Sequence, residues 1–449
     1  MKPRSLIGPL LLILIGALFL LHNLRPDLLS FAVLAMYWPY ILIAWGVIRL
    51  IEIGFWWILK KPLPRAGVSG GEWALVVLIC LIGLGTSAAH RYGPRLPPLI
   101  MNGRGIEFFG EPFDYPLSAS KPVSNVKRLV IENLHGNARV VGGDVTTIQV
   151  TGRKTIRAFQ QSDADDADRK TPLEVIIQGE DVIVKTNQDK APEDRRVSAD
   201  IELTVPRNLN IRATGRRGDF DILGINGDVE VESGNAGVRL QDIAGKVRVD
   251  LHRSDVVRAV NVKKDVEILG KGGDIELENI EGKVILNGYF SGDMQCRDLK
   301  GSLELQSGGT ELRFAKLPGQ LHMDLGDFTA TNIVGPVRLA ARSRDIRIED
   351  FTDSLELRIE RGDIELFPKQ MPNGSIDVTT GSGNIELALP AQAKFDLSAT
   401  ALRGEVTNDF GPVLKLVDEG RKSLLRGGTG KGPKITIATD RGSITVRKD

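Results

Sequence analysis

The 449-residue chain has only two cysteines, Cys80 and Cys296. One lies in an apolar run and the other at an inward strand position, so neither reads as half of an intrachain disulfide, and cysteine usage does not reveal the compartment. Cys296 reads as a buried, inert thiol. Aromatic residues make up 6% of the chain, too few for an aromatic cage or a base-stacking platform. An excess of either charge is also missing: 58 Lys and Arg face 57 Asp and Glu, a net charge of +1. A nucleic-acid binder shows a basic face, so this balance speaks against that partner. The five histidines, His22, His90, His135, His252 and His322, have no metal-ligand spacing to one another or to cysteine. No Gly-x-Ser-x-Gly elbow, phosphate loop or dinucleotide fingerprint occurs. The expectation is a chain that is not an enzyme and holds no cofactor.

The sequence does have long apolar runs, all near its start. Residues 5–23, 30–48 and 73–89 carry no full charge and are each about long enough to cross a hydrocarbon core of roughly 30 Å. Trp38, Trp45, Trp56, Trp57 and Trp73 are confined to this region, as suits side chains that favour the membrane interface. Residues 1–90 are therefore expected to form a membrane region of three helices in the lipid bilayer. A signal peptide is the weaker reading of the first run, since no clear cleavage site follows it and two further spans do. With the N-terminus inside, Lys2, Arg4, Arg49, Lys60, Lys61 and Arg65 lie on the inner side, against Arg25, Arg91 and Arg95 outside. The bias predicts a multi-pass protein of the cytoplasmic membrane with its C-terminal region extracytoplasmic. Residues 91–122 are rich in Pro and Gly and are expected to be a linker without regular structure.

The rest of the chain is organised by a repeat. A small residue, replaced once by Arg, followed by an acidic, amide or Gly residue recurs at Gly218-Asp219, Ala236-Gly237, Ser254-Asp255, Gly273-Asp274, Gly292-Asp293, Thr310-Glu311, Gly326-Asp327, Arg344-Asp345, Gly362-Asp363 and Gly383-Asn384. The steps are 18 or 19 residues, apart from one of 16 and a last of 21. A second register runs half a period later through Gly227, Gly245, Lys264, Gly282, Gly301, Gly319, Gly335 and Asp353. Each mark precedes alternating apolar residues, as in Ile275-Glu276-Leu277-Glu278, so each period reads as two short strands with one buried face. One unit cannot bury that face alone, whereas stacked units can. The expected architecture is N-terminal transmembrane helices followed by an all-β, single-chain β-solenoid. It spans 218–449, with about 18–19 residues per rung and a C-terminal cap, behind an irregular β cap at 123–217. Residues 160–171 are read as a polar loop that lacks the central Gly and terminal Glu of a calcium loop.

Two resemblances rest on named residues. Gly8-Pro9, Gly16, Asn23, Trp38-Pro39, Ile41, Leu42 and Gly46 resemble the Lia-type (LiaI/LiaF-like) membrane region, which implies a role in sensing envelope stress. The chain departs from that pattern in its third span and longer solenoid. Leu203-Thr204-Val205-Pro206, the Gly-Asp rungs, Gly383-Asn384-Ile385-Glu386-Leu387, Phe395-Asp396-Leu397 and Gly442-Ser443-Ile444-Thr445-Val446 make residues 123–449 similar to the bacterial putative-adhesin domain. That resemblance implies a β-solenoid and supplies no catalytic residues.

The repeated acids are the candidate site. Asp219, Asp255, Asp274, Asp293, Asp327, Asp345 and Asp363 are expected along one edge, where an Asp caps a turn by accepting a backbone N–H. The alternative is a ladder of Ca²⁺ ions on those carboxylates. The outward position two residues on has mixed signs and reads as a solvated face with cross-strand pairing. The functional expectation is a binding or scaffold module of the cell envelope, serving stress sensing or adhesion, with another membrane protein or an envelope polymer as partner. An envelope polysaccharide-active enzyme and a Ca²⁺-stabilised rod are the alternatives. The sequence does not reveal the oligomeric state.

Overall fold

The computed structural model describes residues 110–449 except 134 and 193–195, the short strands Ile100–Asn102 and Gly105–Glu107, and single helical positions at 43, 46, 47, 51, 54, 77 and 80. The three expected membrane spans otherwise lie outside the described residues, as does nearly all of the Lia-like stretch. Among the described residues, no helix is long and apolar enough to cross a membrane. The chain divides into two units, Met1–Glu111 and Pro112–Asp449. In the first, the two short strands pair antiparallel.

The second unit is all-β apart from one α-helix and two short 3₁₀ turns. Its strands form two large sheets. Each rung gives one strand to each sheet: Val229–Asn235 is followed by Val238–Ile243, Val247–Leu251 by Val256–Val262, and Val266–Gly272 by Asp274–Ile280. Strands of successive rungs pair in parallel, with Val231 beside Val249, Ile268 and Leu286 in one sheet. In the other, Ile222 lies beside Leu240, Ala259, Leu277 and Cys296. These inward columns are buried and form one continuous core between the sheets. Period-two alternation fixes the register, because a slip of one residue would turn every apolar side chain outward.

Among the rungs between Asn210 and Leu389, the parallel order breaks once. Leu303–Ser307 turns back through Gly308 and Gly309, both at positive φ, into Thr310–Phe314. That strand runs antiparallel to Leu303–Ser307 and to Val337–Ser343. Its companion Leu317–Met323 runs antiparallel to Met294–Leu299 and to Asp327–Ile333. One rung is thus laid in reverse between two parallel stacks. Thr310-Glu311, expected to start an ordinary rung, instead opens the second strand of a hairpin. Two consecutive glycines favour that tight turn. The in–out pattern survives, with Leu312, Phe314, Leu317, Leu321 and Met323 all buried.

Both ends are laced out of sequence order. The rung made by Arg128–Glu132 and Ala138–Gly143 lies between the later strands Asp181–Lys185 and Arg196–Pro206 on one side and Asn210–Arg217 and Phe220–Leu223 on the other. At the far end, the C-terminal strands Lys434–Thr439 and Ile444–Lys448 insert between Ile376–Ser382 and Ile385–Leu389 and the strands Asp396–Ala401 and Val406–Asn408. Stacked rungs therefore begin well before residue 218, and the expected cap at 123–217 contains regular parallel strands.

Two further expectations are corrected. Residues Glu111–Pro122, read as the end of the linker, form a strand beside Thr147–Ala158 at the sheet edge. At an edge, the N–H groups that Pro112, Pro116 and Pro122 lack are least missed. Residues Gln161–Lys170, read as a loop, form an α-helix. Its Ala164 and Ala167 pack on Ile156, Ala158 and Val197 in a small second core, and Asp163 in its first turn and Arg169 and Lys170 in its last suit the helix dipole.

Candidate functional site

The repeated acids lie where the chain passes from one sheet to the other, and most of their contacts run between rungs. Asp219 Oδ1 accepts the Gly237 N–H at 2.9 Å and its Oδ2 meets Arg239 at 3.0 Å. Asp274 accepts the Asp293 N–H at 2.9 Å, Asp345 the Asp363 N–H at 2.9 Å, and Asp363 the Asn384 N–H at 2.7 Å. Asn384 continues the chain by accepting the Ser443 N–H at 2.9 Å. Asp200 and Asn137 begin the same pattern at the other end, accepting from Asn137 and Asp219. Asp255 and Asp293 accept through their backbone carbonyls, from Asp274 and Ile275. Asp327 instead donates its N–H to Asp324 Oδ1 at 2.7 Å. The register sets Asp274 beside Asp293, and Asp327, Asp345 and Asp363 in one column, whereas Asp255 falls one position out, level with Gly273. Gly237 interrupts the column after Asp219, and the reversed rung divides the two groups. Capping of backbone N–H groups is thus seen at four of the seven acids, directed mainly at the neighbouring rung. Among the described residues, no group of three or more His, Cys, Asp or Glu side chains is arranged to hold a metal ion.

A third register escaped the sequence reading. Asp242, Asn261, Asn279, Asp298, Asn332 and Asp350 all have φ between 50° and 57°. Each precedes a buried apolar residue: Ile243, Val262, Ile280, Leu299, Ile333 or Phe351. The left-handed residue puts two consecutive side chains outside before the strand turns in again, and Asn and Asp tolerate that conformation best after Gly. Asn279 donates to Asn261 at 2.9 Å and Asn261 to Asp242 at 2.7 Å, a side-chain ladder along the corner. The signal was present as an Asx-apolar dipeptide recurring at the rung period.

The outward faces are matched in charge between rungs. Arg258 meets Glu276 at 3.3 Å, Arg347 meets Glu365 at 2.7 Å, Lys283 meets Glu304 at 2.9 Å and Arg338 meets Glu356 at 3.2 Å. Exposed pairs of this kind are worth about 0–1 kcal/mol each, and they favour the observed register over its neighbours. Two outward positions read from the repeat, Val257 two residues after Asp255 and Arg313 two residues after Glu311, fall elsewhere. Val257 is buried and Arg258 takes its place beside Arg239. Arg313 belongs to the other sheet, opposite Glu304 and Arg338.

Among the open depressions of these faces, two lie toward the ends of the stack. One, near the first rungs, is lined by Arg139, Arg153, Asp200, Glu202, Asp221 and Arg239; Arg139 meets Glu202 and Asp221, while Arg153 pairs with Asp114 and Arg239 with Asp219. The other, near the last rungs, sets Lys369, Lys394 and Lys431 around Met371, Pro390 and Pro433. Cys296 is fully buried, and burial pushes its thiol up to about 12, far from a reactive thiolate. Lys154, only 2% exposed, meets Asp168 Oδ1 at 2.6 Å and donates to the Thr171 carbonyl at 2.6 Å. It ties the helix C-terminus to the sheet.

The family model described as Toastrack DUF4097 matches residues 198–447. No curated protein matches the chain. Among solved structures it is similar to a putative cell adhesion protein from Clostridium sporogenes, at 9% identity over 75% of this chain and 100% of that one, with a TM-score of 0.16. A putative adhesin from Bacteroides fragilis is 11% identical over 75% of this chain and 97% of its own, with a TM-score of 0.28. A putative lipid binding protein from Parabacteroides distasonis is 12% identical over 74% and 96%, with a TM-score of 0.25. The family match takes in more than half of the 449 residues, and the chain belongs to the Toastrack DUF4097 family.

Proposed function

We propose that this protein is a non-enzymatic binding or scaffold module of the cell envelope. In this reading residues 1–90 anchor it in the cytoplasmic membrane, and the β-solenoid stands on the extracytoplasmic side. The observation that carries the binding reading is the long, charge-patterned surface of the stacked rungs. The carboxylates are spread one per rung along the corners, and many hold backbone N–H groups of the next rung. A glycosidase instead needs two carboxylates facing each other across a scissile bond, and the depressions among the described residues are open rather than enclosed. The membrane reading rests on the three apolar runs and their flanking basic residues. The resemblance of residues 1–50 to Lia-type membrane regions favours a part in envelope-stress sensing over simple adhesion. Partners of this kind are another membrane protein or an envelope polymer, besides the bilayer itself.

Cysteine labelling tests the anchoring and its orientation. Leu325→Cys, at an exposed corner, is expected to react with a membrane-impermeant maleimide in intact cells and to stay with the membrane fraction. Labelling only after lysis would invert the orientation, and recovery in the soluble fraction would end the anchoring claim.

A further inference from the structure

One sheet ends in a strand whose outer edge has no partner. Leu414–Glu419 pairs antiparallel with Lys422–Gly428, which pairs in turn with Asp396–Ala401. Among the described residues, Leu414–Glu419 has no strand on its other side. The two strands are joined by a two-residue turn, Gly420-Arg421, with Gly420 at φ 66°. In such a hairpin the closing pair Glu419–Lys422 is hydrogen-bonded, and hydrogen-bonded pairs alternate along the ladder. Lys415, Val417 and Glu419 therefore spend their backbone groups on the hairpin. Leu416 and Asp418 point theirs outward, whereas the Leu414 N–H is spent on the Gly411 carbonyl.

Apolar side chains gather at this open edge. Leu416 shares the inner face with buried Leu414 and Leu425, yet it is 46% exposed. The facing sheet ends in the three-residue strand Val406–Asn408 and does not cover it. Val413, Val417 and Leu402 are similarly exposed nearby. An unpaired edge with uncovered aliphatic side chains is a template for strand addition.

The sequence of the strand says what fits there. In an antiparallel pair, residues whose backbone groups point outward must face one another, so a second copy can align only in registers that match even positions with even. With the two-fold axis through Val417, Leu416 lies opposite Asp418 of the second copy, and Lys415 lies opposite Glu419 at both ends. Opposite charges directly across a strand pair are favourable, and Val417 then meets its own copy at the centre. Shifting the axis to Leu416 would set Lys415 opposite Val417 and lose both charge pairs. The edge strand at the other end of this sheet, Glu174–Gln178, carries one acid and no base, so it has no such self-complementarity.

We propose that a second copy of this chain docks antiparallel along Leu414–Glu419, with the two-fold axis at Val417. The two sheets then continue into one another, and the uncovered Leu416 side chains become neighbours. The contact is isologous and closes as a dimer.

Cysteine crosslinking of the full-length protein in detergent micelles, in a Cys80→Ser background that keeps only the fully buried Cys296, tests this. Mild oxidation is expected to link most of Val417→Cys into a disulfide dimer, since non-hydrogen-bonded antiparallel pairs bring their Cβ atoms close. Lys415→Cys and Glu419→Cys are each expected to stay at background alone and to crosslink when mixed. Adding Lys415→Glu to Val417→Cys should cut the yield severalfold, and adding Glu419→Lys as well should restore it. The proposal is overturned if Val417→Cys links no better than Leu325→Cys at a remote corner, if Lys415→Cys links alone as well as Val417→Cys, or if the double charge swap fails to rescue.

Discussion

A carboxylate that accepts the N–H of the next rung does work that its own turn does not reveal. Asp324 shows the same economy within a loop: the N–H groups of Asp327 and Gly326, each at 2.7 Å, hold its carboxyl below the ordinary carboxylate range. A depressed folded-state pKa adds stability above the unfolded-state value and loses it as pH falls through the folded one. Asp324→Ala should therefore lower the Tm at neutral pH, and the gap from the parent should close as pH drops below the ordinary carboxylate value of about 4. A gap independent of pH would show that the charge is irrelevant. Lys154 makes a second residue-scale case. Lys154→Met keeps the stem but leaves the buried Thr171 carbonyl without its donor, which should cost about 1–3 kcal/mol in urea unfolding. The Gly-Asp punctuation was legible in the sequence because it recurs at the rung period. That the acids reach across to the next rung was not, because the partner lies about 18 residues away along the chain. The left-handed Asx residues could have been found by the same periodic reading, but they were masked as ordinary outward strand positions. The helix Gln161–Lys170 was missed because two alanines make too narrow an apolar stripe to show a helical period.

Whole elements depend on backbone approaching backbone. At Gly362, where φ is 139°, an added Cβ would lie 1.8 Å from the Arg344 carbonyl oxygen. Gly362→Ala is expected to cost about 1–3 kcal/mol and to show as earlier unfolding of the second stack. A Tm equal to that of the parent would contradict the close stacking. The reversed rung belongs to this scale as well. Its only trace in the sequence was one step of 16 residues where the others are mostly 18 or 19. Period alone is blind to strand direction, because antiparallel pairing keeps the same faces in and out. The C-terminal strands are clamped between two earlier rungs, so deleting residues 430–449 should do more than shorten the stack by one unit. It separates 376–389 from 396–408. Limited proteolysis is expected to open the region from about residue 390 onward, whereas protection up to the new end would refute the lacing.

At the scale of the molecule, the sequence carried the all-β solenoid and its continuous core, since both follow from period-two alternation repeated at a constant step. It did not carry the interlaced ends, because which strand inserts between which depends on contacts distant along the chain. The account of the molecule joins a membrane region to a binding surface. Crosslinked co-purification from native membranes tests that claim most directly, comparing the full chain with a version whose residues 1–104 are replaced by an unrelated anchor. The account predicts that the native chain recovers a discrete membrane protein or envelope polymer, and that losing this recovery with the replaced anchor marks a sensing role within the membrane. Recovery of no envelope component by either version would contradict the binding-module reading.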